Sequence, residues 1–197
     1  IGSMTRHCDV ASSSEVIRSL PALAKLAGGI GDHMVRSCGT IGGSLANNDP
    51  AACYPSAALA LGATIITNER AIAAEDFFVG MFETALNENE IITEVKFPTP
   101  EKASYIKFPN PASRYAMVGV FLAKKASGVA VAVTGAGENG VFRCSEIEKV
   151  LNSSFNLESL DNVEISPDGL NSDIHASASY RANLIKEMAK RALKEII

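Results

Sequence analysis

Residues 39–63 read GTIGGSLANNDPAACYPSAALALGA, which sets a Gly-Gly turn, an Asn-Asn-Asp-Pro turn and an alanine-rich apolar segment end to end. Gly42-Gly43 lets the backbone take positive φ and approach a ligand closely, with the Thr40 and Ser44 hydroxyls and a row of amides beside it. Such a turn suits a diphosphate, and it equally serves as plain turn chemistry. It is not a Walker loop, since no Gly-Lys-Ser/Thr closes it, nor the Gly-x-Gly-x-x-Gly dinucleotide fingerprint. Asn47-Asn48-Asp49-Pro50 also has two readings. It is either a turn in which Asp49 accepts from nearby amides and Pro50 fixes φ, or a set of side chains reaching a ribose or ring edge. A carboxylate beside a diphosphate is repelled, which places Asp49 on hydroxyls or on the amides that shape the loop.

Working outward, Tyr54-Pro55-Ser56 opens a helix that ends at Gly62. Upstream, Ser12-Ser13-Ser14-Glu15 followed by Val16, Ile17, Leu20, Leu23, Ala24 and Ala27 predicts a capped amphipathic helix stopped by Gly28-Gly29, which Pro21 kinks or restarts. Met34 to Cys38 reads as a short strand entering the Gly-rich turn. Downstream, Thr64 to Thr67 and Arg70 to Ala74 form a hairpin around Asn68-Glu69, and Ile91 to Phe97 a further strand. Pro98-Thr99-Pro100-Glu101 disfavours helix and ladder alike and reads as a linker. Beyond it, Ser104 to Phe108, Ala116 to Ala126 and Val129 to Thr134 predict three antiparallel strands. A short helix near Cys144 to Leu151 and a long one from about His175 to Ile197 follow. The long helix sets Ala178, Ile185, Met188, Ala189, Ala192, Leu193 and Ile196 on one face, with Arg181 and the lysines mostly off it. The expected class is α+β, in two parts, 1–98 and 99–197.

Composition narrows the partners. The balance of 18 basic and 22 acidic residues, without a block of like charge, argues against nucleic acid or an anionic membrane surface. The longest apolar run, Ala57 to Ile66, is about half the ~20 residues that span a bilayer, and no secretory leader is evident, so a cytoplasmic location is expected. The first methionine is Met4, which reads as a piece of a longer chain. Cys8, Cys38, Cys53 and Cys144 form no Cys-x-x-Cys pair and His7, His33 and His175 are scattered, so neither a zinc site nor an iron–sulfur cluster is signalled.

The run Gly39-Thr40-Ile41-Gly42-Gly43-Ser44-Leu45-Ala46-Asn47-Asn48-Asp49-Pro50-Ala51-Ala52, then Tyr54-Pro55, closely resembles the second flavin loop of the molybdenum hydroxylase flavoproteins. These are the FAD-binding medium subunits of aerobic carbon monoxide dehydrogenases and the flavin domains of xanthine dehydrogenases. IGSMTRH at the start, IGDHMVRSCG, EIITEVKFP and YIKFPNPASRYAMVGV extend the resemblance along the whole chain. It implies that residues 1–98 are the second subdomain of a PCMH-type FAD-binding fold. Residues 99–197 are then the family's C-terminal flavoprotein domain, a three-stranded antiparallel sheet packed with helices.

By the same resemblance Thr40, Ile41, Gly42, Gly43 and Ser44 wrap the FAD diphosphate, Ile30 and Gly31 line the adenosine side, Asp49 shapes the loop, Ile92 packs near the isoalloxazine and Lys107 sits close to the flavin ring. The plainer readings are core residues for Ile30 and Ile92 and a solvated strand lysine for Lys107. The implied role is electron transfer, with no catalytic acid, base or nucleophile on this chain: a molybdopterin-binding large subunit and a 2Fe-2S small subunit pass electrons to FAD and on to an external acceptor. A non-enzymatic subunit-interaction fragment is the alternative, and a free-standing flavin oxidase would need a larger substrate domain. Two departures stand out. Cys53 takes the place where xanthine dehydrogenase-like members carry an aspartate, and the family's N-terminal Gly-rich loop is absent. Loss of that loop removes two or three charge-assisted hydrogen bonds, ~3–9 kcal/mol in all, so the chain alone is expected to hold FAD poorly or not at all.

Overall fold

Strand alternation decides where the two cores of the chain lie. The computed structural model describes residues 1–197. Helices α1 (His7–Ser12), α2 (Ser14–Ser19), α3 (Pro21–Gly28), α4 (His33–Cys38), α5 (Ile41–Asn47) and α6 (Tyr54–Leu61) come first. A hairpin of β1 (Thr64–Thr67) and β2 (Ala71–Ala73) follows, then α7 (Ala74–Phe77), β3 (Phe78–Gly80), β4 (Glu83–Thr84) and β5 (Ile92–Lys96). The second half holds β6 (Lys102–Pro109), β7 (Ala116–Lys125), β8 (Gly128–Thr134), β9 (Phe142–Arg143), α8 (Ser145–Ser153) and α9 (Ala178–Lys194). Three antiparallel sheets result, ordered β2-β1-β5, β3-β4 and β6-β7-β8-β9.

In the largest sheet Tyr105 pairs with Phe121 and Phe121 with Ala132, whereas Ile106 pairs with Val120 and Val120 with Val133. Side chains alternate across a strand, so these two series face opposite ways. Tyr105, Phe121, Ala123, Ala130 and Ala132 join a core with α3, α6 and β1. Val118, Val120, Leu122, Val129, Val131 and Val133 join another with α8 and α9. Each fully buried aliphatic contributes about 1.5–3 kcal/mol. The first core reaches across Pro98–Glu101, because Tyr105 and Phe121 belong to it together with Val95 and Leu61. Helix α6 is buried along its whole length, as a helix apolar on every side must be.

Several expectations need correction. Met34–Cys38 is not a strand but most of α4, because the Asp32 carboxylate caps it, accepting from the Val35 amide at 2.9 Å. Of the two outcomes expected at Pro21 the restart is the one found: Leu20 at φ −149° ends α2, and Pro21 starts α3 at the position where a missing N–H does no harm. The sheet of the second half has four strands, not three: the short β9 adds to β8 through Ala132–Arg143 and Val133–Phe142. The long helix runs Ala178–Lys194, with Ser177 capping it through the Tyr180 amide at 3.2 Å. Arg181 lies on its buried face, not off it, and is only 4% exposed. No helix is long and apolar enough to cross a membrane.

Candidate functional site

The Gly-rich run opens a helix instead of a turn. Thr40 is the N-cap of α5, its Oγ1 accepting from the Gly43 amide at 3.1 Å, and the Thr40 carbonyl accepts from the Ser44 amide at 3.0 Å. The Ile41 amide donates to the Thr5 carbonyl at 3.0 Å and the Gly42 amide to the Ser3 carbonyl at 2.8 Å. The four amides at 41–44 therefore already have acceptors within the chain, which corrects the expectation of a free amide cradle. Gly42 is needed for close approach all the same. A Cβ there would stand 2.5 Å from the Ser3 Cβ and 2.8 Å from its carbonyl oxygen. The backbone that approaches is that of residues 3–5.

A cavity of about 540 Å³ opens between the α3–α4 loop, the start of α5, the α5–α6 loop and the β6–β7 loop. Of the residues singled out from sequence, Ile30, Gly31, Thr40, Gly43, Ser44, Asp49 and Lys107 line it. Ile41 and Gly42 do not, being buried in α5. Ile92 lines a different groove of about 200 Å³, with Met4, Gly42, Gly43 and Ile91. Cavity and groove share Met4 and Gly43. Lys107 thus lines the cavity with Ile30 and Gly31, and Ile92 lines the adjoining groove.

Asp49 behaves as the electrostatic argument required: its carboxylate accepts from the Ala51 amide at 2.8 Å and shapes the loop. The Thr134 hydroxyl then ties that loop to the sheet, donating toward the carbonyls of Pro50 at 2.9 Å and Ala52 at 2.6 Å. Lys107 reaches the cavity because it lies two residues beyond Tyr105 on the same strand face. Its Nζ donates to the carbonyls of Gly29 at 2.6 Å and Arg114 at 3.0 Å and lies 3.7 Å from the Cys53 sulfur. The Asp32 carboxyl, on the opposite rim from Arg114, is held below its usual range first by the Val35 amide, with the Arg114 and Arg36 guanidiniums adding to the effect.

Sequence reading missed His7, Arg114 and Tyr115. His7 is buried, its Nδ1 has no partner, its ring lies 5.3 Å from that of Tyr54, and burial pushes its pKa down so that the imidazole is neutral. Arg114 and Tyr115 are exposed and line the cavity from the β6–β7 loop. The Asn-Pro-Ala-Ser turn signals that loop, but nothing local says which cavity it overhangs. A smaller recess of about 300 Å³ adjoins, sharing Asp49, Ala51, Ser113 and Tyr115 with the cavity. At its edge Arg181 donates to the carbonyls of Met117 at 2.7 Å and Gly135 at 2.9 Å and pairs with Asp173 at 2.7 Å. No three His, Cys, Asp or Glu side chains gather where they could hold a metal ion.

The donors facing the cavity suit a nucleotide with its phosphates: the Thr40 and Ser44 hydroxyls, a backbone at Gly43 without a side chain, the Arg114 cation and the Tyr115 ring. Comparison with known proteins agrees. A family profile described as "FAD binding domain in molybdopterin dehydrogenase" matches residues 1–100. The glyceraldehyde dehydrogenase medium chain of Sulfolobus acidocaldarius is 34% identical, the match covering all of this chain and 75% of that one. The nicotine 6-hydroxylase medium subunit of Paenarthrobacter nicotinovorans is 33% identical over 98% of this chain and 73% of its own. Among solved structures, carbon monoxide dehydrogenase from Hydrogenophaga pseudoflava superposes with a TM-score of 0.83 at 29% identity, covering 98% of this chain and 73% of that one. The chain belongs to the FAD-binding medium subunits of the molybdenum hydroxylase family.

Proposed function

We propose that this chain is the electron-transfer flavoprotein subunit of a cytoplasmic molybdenum hydroxylase, and that its cavity receives the adenosine diphosphate half of FAD. Bound FAD would accept electrons from the iron–sulfur clusters of a partner subunit and pass them to an external acceptor. Residues 1–98 would serve as the second FAD subdomain and 99–197 as the C-terminal flavoprotein domain. Partners would be a molybdopterin-binding large subunit and a 2Fe-2S small subunit.

The observation that carries this reading is the gathering of Ile30, Gly31, Thr40, Gly43, Ser44 and Lys107, from three separate segments, around one cavity. Thr40 and Ser44 would donate to phosphate oxygens. Ile30 would cover an adenosine face. The ring end would then lie along the groove of Ile92 and Ile91, on the far side of Gly43. In this arrangement Lys107 belongs to the adenosine side and not to the flavin ring.

A second reading, a subunit-interaction piece that does not hold flavin, is favoured by one observation: the amides at 41–44 are already bonded within the chain. Equilibrium dialysis with FAD, ADP and FMN separates the two. The proposal expects weak but measurable binding of ADP and FAD by the chain alone, with FMN weaker still. Absence of binding by ADP and FAD, with retention of a molybdopterin subunit on co-purification, would establish the second reading instead.

A further inference from the structure

We propose that Lys107 is a positioning residue that pins the two rims of the cavity together and so holds Arg114 and Tyr115 over its contents. The positioning role rests on nucleotide occupancy of the cavity. The three acceptors around Nζ, the carbonyls of Gly29 and Arg114 and the Cys53 sulfur, match the three protons of an ammonium group. Two protons go to backbone oxygens, and the third meets the weakly accepting sulfur at 3.7 Å. A lysine that merely supplied charge to a ligand would leave its donors free on the cavity side, whereas this one spends them on backbone from two loops far apart in sequence.

Both rims have conformations that need holding. Gly31 has φ +47°, and a Cβ on it would stand 2.8 Å from that of Val35. Arg36 fixes this rim from below, donating to the carbonyls of Ile30 at 2.9 Å and Gly31 at 3.1 Å. On the other rim Arg114 has φ +62°, a left-handed conformation that a residue with a side chain adopts only when its surroundings impose it. The other hydrogen bonds of residues 110–115 stay inside the turn. The Asn110 amide donates to the Tyr115 carbonyl, the Arg114 amide to the Asn110 carbonyl, and the Ala112 and Ser113 amides to Asn110 Oδ1. The Lys107 ammonium is thus the group that ties this closed turn to the strand below it and to the opposite rim. Arg114 and Tyr115, a cation and an exposed aromatic ring, are what the turn presents to the cavity.

Hydrogen exchange on the unliganded chain tests the pin directly. In Lys107→Met the amides of residues 29–31, 110 and 112–115 should exchange about ten-fold faster, with β7 and α9 unchanged, and Lys107→Arg should recover most of the protection because it keeps charge and donors. Unchanged exchange at the rims in Lys107→Met overturns the pin. ADP titration tests the positioning: Kd should rise about ten-fold in Lys107→Met and return toward wild type in Lys107→Arg. ADP affinity lost with the rims unaltered would make Lys107 a direct ligand contact and overturn the proposal, as would loosened rims with wild-type ADP affinity. A wild-type chain that takes neither ADP nor FAD overturns the nucleotide reading and the positioning role with it, while the exchange data decide the pin by themselves.

Discussion

One face of the β6–β9 sheet carries Val118, Val120, Leu122, Val131 and Val133 against α8 and α9, and the other carries Tyr105, Lys107, Phe121 and a series of alanines toward α6 and the cavity. The first is packed almost wholly with branched aliphatics, whose burial is the main source of stability. The second keeps more polar atoms in an apolar setting: His7 Nδ1, Tyr54 OH and Tyr105 OH are buried without partners, against Arg181 Nε on the α9 side. An unpartnered buried polar group costs about 1–3 kcal/mol, so the cavity side gives up stability that the helix side supplies. The two faces of one sheet thus differ in kind: one is packed for stability and the other leaves a cavity.

The sharpest way to break that division is to remove volume from the helix side. Leu122→Ala should cost ~2–5 kcal/mol in denaturant unfolding while leaving ADP affinity unchanged. On the cavity side the adjacent glycines should part company. Gly42→Ala, pressed against Ser3, should cost ~1–3 kcal/mol in unfolding experiments without any ligand. Gly43→Ala meets only the Thr40 Oγ1 at 3.1 Å, gains about what an alanine gains in a helix, and should leave stability within ~0.5 kcal/mol while weakening ADP binding. Equal losses of stability in both would mean that the run at 42–43 serves the fold alone.

Thr134→Val removes the hydroxyl that joins the sheet to the Pro50 and Ala52 carbonyls; about 1 kcal/mol of stability should go, with faster exchange at residues 49–53 by mass spectrometry. The smallest effect is in the pH profile. Burial holds the folded-state pKa of His7 below the usual 6.5, so the unfolded chain takes up the proton first as pH falls. Stability from this group is complete above about pH 6.5 and declines as pH drops toward the folded value. His7→Gln should flatten that part of a stability-against-pH curve, and an unchanged curve would show that the imidazole is not buried neutral.

The legible parts of the sequence were those with strong local patterns. The ladder of β6, β7 and β8 follows from alternation, and α9 from its apolar stripe. The site was legible only as far as the Gly-rich run marked where a cavity would lie. Its internal wiring was not, because the acceptors for the amides of Ile41 and Gly42 come from Thr5 and Ser3, more than thirty positions away. Helix α4 escaped for the opposite reason: Met34-Val35 looks like a strand until Asp32 is seen to cap a turn after it. Arg181 looked solvated because a charged residue next to a helix stripe usually is, and the carbonyls of Met117 and Gly135 with the Asp173 carboxylate make its burial tolerable.

The strap formed by residues 1–5 carries a practical lesson for anyone trimming this protein. Ile1 and Ser3 pair with Val95 and Thr93 at the edge of β5, and the same strap receives the first two amides of α5. Starting a shortened version at His7 would therefore unmoor α5 from the sheet, even though every residue of the cavity's polar rim would still be encoded.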